Sequence, residues 1–438
     1  MSERTWGVTP VPDRLRTLSG LDLGLLWGNL GVSLLVLVAG TLLAGLGLKQ
    51  GLAAILVGAV LGTALLGLAG LIGAERRRPG MVLLRDPLGH RGSYLPTGLN
   101  VAQNIGWATF ELIVIAAAAN ALADRVFGFE ARWLWVLVFA AVTTALALAG
   151  PISVVRRYLR RFGIWAVVGS TAYLTWWALD RADTRALWSA GSEGGLSFWQ
   201  GVDLTVAMAA SWLPLAADYT RFGRSGRAAF WGTGLGYLVP LVWLYVLGLL
   251  LALSGGFGDT TGLLIAVAGG GVASALALLA LTVAETDEPF ANVYSAAVSL
   301  QNLVPAAPQG VLVILCAGAA TVGALSLDLL AYESFLFLLG SFFVPLFGVL
   351  AADFLVGAGR EVAVRWNGVV AWLAGFAAYH WIQPTGPSWW TEAVGGMPGT
   401  GGFTGGASLP SFALAFALYA AVRYAQHAPF GRRWAYRA

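Results

Sequence analysis

Uncharged apolar runs of roughly twenty residues recur along this chain from residue 22 to residue 426, and no other feature constrains its fold so strongly. Wound as a helix, one such run crosses a ~30 Å hydrocarbon layer. Lipid offers no water to backbone N–H and C=O groups, so spanning segments must be helices or a closed barrel. The runs lack the apolar–polar alternation of barrel strands, which leaves helices. Only 11% of the residues are charged, against about 25% in soluble domains. The 58 glycines suit helices that pack closely in lipid.

The hydropathy pattern predicts helices near 22–48, 51–73, 95–121, 132–150, 162–180, 200–219, 229–254, 263–300, 309–330, 332–356, 366–383 and 408–426. The eighth window is too long for one simple span, and a break is expected near Pro289. Twelve spans sort the basic residues: 21 of the 26 Lys and Arg fall on the side of both termini, and Lys49, Arg125, Arg132, Arg181 and Arg185 fall on the other. The positive-inside rule then puts both termini in the cytoplasm and the chain in the plasma (inner) membrane. The expected organisation is a cytoplasmic segment at 1–21, a ten-helix core at 22–356, two further helices at 357–426 and a cytoplasmic tail at 427–438. No cleavable signal peptide is expected, because the first apolar stretch is too long for one.

Several functions are disfavoured. The single Cys316 rules out an internal disulfide framework and a cysteine cluster for a metal, and His90, His380 and His427 lie far apart in sequence. The net charge of +4 follows from the membrane-side bias of arginine and needs no nucleic acid. No cofactor is expected. The partners are the lipid bilayer and a small solute.

Two helices look broken. The first carries Gly28, Asn29, Gly31 and Ser33, and the sixth carries Ser211, Trp212 and Pro214 amid apolar residues. Glycine weakens a helix and proline removes one of its hydrogen bonds. Breaks in corresponding members of two halves point to an inverted-repeat transporter of five plus five helices, with substrate bound at the breaks. The plainer reading is that Gly and Pro are common in membrane helices.

On the third helix, Gln103, Trp107 and Glu111 recur every four residues and share a face. Trp107 is too deep for an interfacial belt. A flat indole between an amide and a carboxylate suits a planar polar heterocycle, whose face it stacks and whose edge its neighbours read. The alternative is a packing tryptophan with two interhelical hydrogen bonds. On the eighth, Glu285, Asp287 and Glu288 stand in an apolar segment just before Pro289. Each mid-membrane charge costs ~2.5–3.5 kcal/mol on an insertion scale, so these acids must be protonated, cation-bound or in a wet cavity. They suit a coupling site for Na⁺ or H⁺, combined at Glu285 with substrate recognition. Glu285, Glu288 and Asn292 share a face, and Pro289 is expected to free the carbonyl of Glu285. A surface loop is the competing reading.

At these positions the chain resembles the nucleobase–cation symporter family of cytosine, hydantoin and hydroxymethylpyrimidine permeases. The likeness rests on Arg85-Asp86-Pro87-Leu88-Gly89-His90-Arg91-Gly92-Ser93, Leu95-Pro96, Gly106-Trp107, Ala217-Asp218-Tyr219-Thr220-Arg221-Phe222-Gly223-Arg224 and Tyr294-Ser295-Ala296. It implies an all-α, LeuT-like fold and Na⁺ or H⁺ cotransport. It implies that Trp107 stacks the ring, that Gln103 or Asn104 contacts its edge, and that Glu111 takes a polar position one turn on. Cation ligands would come from Asn29 to Ser33 and from the eighth helix. The match fails at the sixth helix, where Met208–Ala209 replaces the family contact and Trp212 is the available aromatic. It also fails at Asp287 and Glu288, which stand where the family's Na⁺-binding Ser/Thr pair would be and raise the case for protons.

The expected function is cation-coupled uptake of a nucleobase-like heterocycle, a pyrimidine such as hydroxymethylpyrimidine or cytosine, by alternating access. The alternatives are transport of an amino acid or amine on the same fold and a membrane-embedded enzyme using Glu285, Asp287 and Glu288.

Overall fold

A computed structural model describes residues 7–150, 164–192, 194–255, 271–327, 332–357 and 361–427. The arginines at 4, 156, 157, 160, 161, 360, 432, 433 and 437, most of the C-terminal tail and the start of the eighth window lie outside the described residues.

The described residues form twelve helical spans and no strand. They are α1 (Gly20–Leu30 and Leu34–Thr41), α2 (Gly47–Arg76), α3 (Tyr94–Phe127), α4 (Arg132–Ala149), α5 (Ile164–Arg181) and α6 (Phe198–Ala210 and Ala216–Thr220). They continue as α7 (Gly226–Gly255), α8 (Val272–Ala284 and Asp287–Leu303), α9 (Gln309–Ser326), α10 (Tyr332–Val356), α11 (Trp366–Ile382) and α12 (Ser408–His427). Among the described residues seven helices are long and apolar enough to cross a membrane. Spans 1, 6 and 8 are each made of two shorter helices.

The breaks have local causes. The first half of α1 starts at a capping box, in which Ser19 and Asp22 satisfy each other's backbone N–H. It ends at Gly31, where a Cβ would come within 2.5 Å of Pro240 Cγ on α7. Ser33 then caps the second half by accepting from Leu35 N–H. In α6 the turn Ser211–Leu215 contains Pro214, which supplies no N–H. In α8 the break is at Glu285–Thr286, before the expected Pro289. Pro289 is the third residue of the second half, where its missing N–H is one that no helical carbonyl awaits. The carbonyl of Glu285 is not freed, because Glu288 N–H donates to it at 3.1 Å.

Helix neighbours reveal the repeat. α1 packs on α7 and α6 on α2; α3 packs on α9 and α8 on α4; the pairs α2–α7, α3–α8 and α4–α9 also touch. Exchanging spans 1–5 with spans 6–10 maps this set onto itself, which is the five-plus-five arrangement. The first expected span ended too late: α1 closes at Thr41, and a single 3₁₀ turn at Ala44–Leu46 leads directly into α2. α11 and α12 lie outside the repeat and pack against each other and against α10.

Candidate functional site

The breaks of α1 and α6 meet α3, α7 and α8 around a narrow cavity of about 10 Å³, the room of a single water. Ser33, Leu35 and Val36 come from α1, Trp107 and Glu111 from α3, and Met208, Ser211 and Trp212 from α6. Tyr237 comes from α7, and Glu288 and Asn292 from α8. Broken helices bring backbone and short polar groups to mid-membrane depth without exposing them to lipid, which is where such groups are tolerated.

Glu111 and Asn292 form the polar floor. Asn292 Nδ2 donates to both carboxylate oxygens of Glu111, at 3.0 and 3.1 Å, and reaches the Glu288 carbonyl at 3.3 Å. A carboxylate only accepts, so the amide nitrogen must face it and the amide oxygen must turn elsewhere. Glu288 lies one helical turn before Asn292 and is 2% exposed.

Glu285 does not line the cavity. Its carboxylate reaches behind it to the α1 break, accepting from Ser33 Oγ at 2.7 Å and from Leu34 N–H at 2.9 Å. Ser33 Oγ itself accepts from Leu35 N–H, so its own proton points at Glu285. A negative group here also faces the positive end of the second half of α1. The carboxylate thus ties the break of α1 to the break of α8.

The walls are aromatic. Trp107 is 5% exposed and meets Phe335 of α10 edge to face, with ring centres 5.2 Å apart. Trp212 donates its indole N–H to the Tyr237 hydroxyl at 2.9 Å. Behind them Trp27 packs edge-on against Trp212, Tyr219 and Tyr237.

Five of the residues singled out from sequence line one cavity: Ser33, Trp107, Glu111, Trp212 and Glu288. Four are buried nearby without lining it. Gln103 donates to Asn100 Oδ1 and to the Ser211 carbonyl at the α6 break. Asn104 donates back to Asn100 on its own helix. Asn29 is buried, and its carbonyl accepts from Val32 N–H. Glu285 is engaged at the α1 break as described. Asp287 opens the second half of α8, but its side chain lies outside the described residues. Sequence reasoning did not reach Tyr237, Leu35 or Val36 as wall residues, and it noted Asn292 without giving it a partner. Only the i, i+4 step from Glu288 could have flagged Asn292.

Apart from Gly106-Trp107, the family-like motifs lie away from the cavity, on the side of the N-terminal segment. Arg85 donates to the side chain and carbonyl of Asn302, whose amide donates to Ser93 and Thr97. The start of α3 is thereby fixed to the end of α8. Asp218 accepts from Gly80 N–H, Tyr219 donates to the Ala291 carbonyl, and buried Arg221 donates to Gly7 O and Tyr294 Oη. Among the described residues no group of His, Cys, Asp and Glu is arranged to hold a metal.

Comparison with known proteins agrees with this architecture. The family model for permeases for cytosine/purines, uracil, thiamine and allantoin matches residues 10–365. The cytosine permease of Escherichia coli (strain K12) is 24% identical over 358 residues, 78% of this chain and 81% of that protein. The hydantoin permease of Microbacterium maritypicum is 24% identical over 311 residues, 65% of this chain and 62% of that one. Among solved structures, Mhp1, a nucleobase-cation-symport-1 family transporter in a closed conformation with bromovinylhydantoin bound, superposes with a TM-score of 0.74 at 17% identity. That match covers 97% of this chain and 94% of Mhp1. A Na⁺-coupled sialic acid symporter superposes with a TM-score of 0.61 at 12% identity, covering 93% of this chain and 90% of its own. The fold is LeuT-like.

Proposed function

The chain belongs to the permease family for cytosine/purines, uracil, thiamine and allantoin, and from that premise we propose that it takes up a pyrimidine such as cytosine or hydroxymethylpyrimidine, driven by H⁺ or Na⁺. As a permease of this family it is a transporter, so the reading of the acids as an enzyme's active site falls away. The observation that carries the proposal is the buried indole of Trp107 lining one cavity with Glu111 and Glu288 where the broken helices meet. Trp107 stacks the ring, Trp212 closes the other wall, and Glu111 with Asn292 reads the edge. Glu288 and Ser33 are the cation-facing groups in this reading, with Asp287 and the Asn29 turn beside them. Gln103 and Asn104 act behind the cavity by holding Asn100 and the α6 break. Glu285 holds the α1 break in place.

Alternating access then moves the broken helices relative to α3 and α8. A cation drives this only if it binds the substrate-competent state better than the other. One charge moving inward through 100 mV releases ~2.3 kcal/mol, enough for roughly a 40-fold gradient of a neutral ring. The bias of arginine toward one side favours cytoplasmic termini and an inner-membrane location. Residues 22–356 form the transport core in this reading, with α11 and α12 as additions.

The test is uptake of labelled cytosine and hydroxymethylpyrimidine into cells expressing the protein, with labelled amino acids alongside. Accumulation of a pyrimidine that disappears when membrane potential and ion gradients are collapsed is the expected result. Undiminished accumulation would refute coupling. Uptake of amino acids in place of pyrimidines would reassign the substrate.

A further inference from the structure

The seam between α1 and α7 is made of backbone. Gly20 and Gly24 on α1 face Gly232 and Gly236 on α7. A Cβ at Gly232 would come within 2.5 Å of the Gly20 carbonyl oxygen, and one at Gly236 within 2.7 Å of that of Gly24. Helices this close leave the flanking side chains standing as ridges above a glycine floor. The result is an open groove of about 600 Å³, within the size range of small-molecule sites. Its ridges are apolar and face outward: Leu21 is 67% exposed, Trp231 53% and Leu235 51%. Ser225 and the exposed Arg227 form its end on the side of the N-terminal segment, and no acid among the described residues lines it. Arg224, also exposed, stands beside that end and donates to the Thr17 carbonyl at 3.1 Å. Glu75 accepts from Gly226 N–H where α7 meets α2, away from the groove lining.

The groove faces lipid. A guanidinium stays at headgroup level, and an exposed tryptophan one turn deeper belongs to the same interface. From Arg227 to Gly236 the helix rises ~14 Å, the depth of one leaflet of a ~30 Å hydrocarbon core. The polar end therefore meets headgroups, and the glycine floor meets acyl chain. The seam offers no vacant stripe for another helix, because its glycines are already packed on one another. We propose that an anionic phospholipid of the leaflet on the side of the N-terminal segment occupies this groove, with its phosphate at Arg227 and Arg224 and one acyl chain along the glycine floor. A guanidinium can pair a phosphate through two parallel N–H groups. A floor without side chains lets the acyl chain lie against two helices at once, which multiplies its dispersion contacts. Two cations with no acid in the lining favour a headgroup of net negative charge over a zwitterionic one. The lipid touches α7 and the first half of α1, apart from the cavity at the breaks, so its binding does not depend on which solute that cavity takes.

The experiment reconstitutes the full chain in phosphatidylcholine vesicles with a trace of a probe lipid. The probe carries a photoreactive group in its acyl chain and either a phosphatidylglycerol or a phosphatidylcholine head, and its cross-links are mapped by peptide mass spectrometry. The phosphatidylglycerol probe should label residues 21–24 and 231–235 at least about fivefold more than the phosphatidylcholine probe, the ratio expected of one arginine near an anionic headgroup. The exposed Ile314 and Leu315 on α9 serve as the reference for ordinary lipid contact, where the two probes should label alike. Arg224→Gln with Arg227→Gln should bring the groove ratio down to that of the reference; a ratio that stays at the wild-type value removes the arginines from the site and overturns the inference. Equal labelling of the wild-type groove by the two probes makes it an ordinary lipid surface and overturns it as well. So does loss of the labelling to excess inorganic phosphate at constant ionic strength, which assigns the arginines to a soluble anion. So does a groove that neither probe labels, as when a second copy of the chain covers it. Should the double variant fail to fold, the wild-type ratio alone decides.

Discussion

Replacing Glu285 with glutamine tests whether the breaks of α1 and α8 are tied by a carboxylate. Two donors meet it there: Ser33 Oγ at 2.7 Å and Leu34 N–H at 2.9 Å. Glutamine keeps one acceptor oxygen and turns an NH₂ group against the other donor. Hydrogen bonds to a charged group are worth ~1.5–3 kcal/mol and neutral ones ~0.5–1.5. Loss of charge at the N-terminus of the second half of α1 removes a further ~0.3–1 kcal/mol. Relief of burying a charge offsets part of this, leaving a net loss of about 2–3 kcal/mol. One kcal/mol moves the midpoint of a 150–250-residue domain by ~2–4 °C and a longer chain by less, so a fall of about 3–6 °C is expected. The assay is thermal unfolding in detergent at a fixed scan rate, since membrane proteins commonly unfold irreversibly. Ser33→Ala should lower the midpoint too, and the double variant should fall short of the sum because the two groups share one contact. A Glu285→Gln protein that melts with the wild type, or effects that add fully, would refute the tie.

Two further outcomes are expected. In the proposed reading Trp107 stacks the ring, so Trp107→Ala should weaken cytosine binding by about 1–3 kcal/mol, measured by equilibrium binding of labelled cytosine to the purified chain; unchanged affinity would place the ring elsewhere. Gly73→Val puts a Cβ within 2.6 Å of Ala217 Cα and 2.7 Å of its Cβ at the α2–α6 contact. Since backbone cannot yield as a flexible side chain can, the variant should lose most properly folded protein on size-exclusion chromatography, whereas Gly98→Val, where nothing lies within 4 Å, should not.

How much of this was legible beforehand depends on the range of the interaction involved. Lipid acts on each segment separately, so the apolar runs alone yield the all-helical class, the twelve spans and the breaks in the first and sixth. Trp107 and Glu111 were legible because helical periodicity puts them on one face and because an indole and an acid at that depth demand a reason. The division of labour among the acids was not legible. Glu285 and Glu288 are three residues apart, and either could face a substrate or a cation. Only the approach of α1 decides that Glu285 meets Ser33 and Leu34 while Glu288 faces the cavity. The position of the α8 break was misjudged for a related reason: proline disrupts a helix interior, but near a helix start its missing N–H costs nothing. The partnerships of Asn292 with Glu111 and of Tyr237 with Trp212 join positions 181 and 25 residues apart. Local sequence settles what each segment must be in lipid; which polar groups satisfy one another inside is set by helix packing, because a buried hydrogen bond depends on where two chains meet and leaves no period in either.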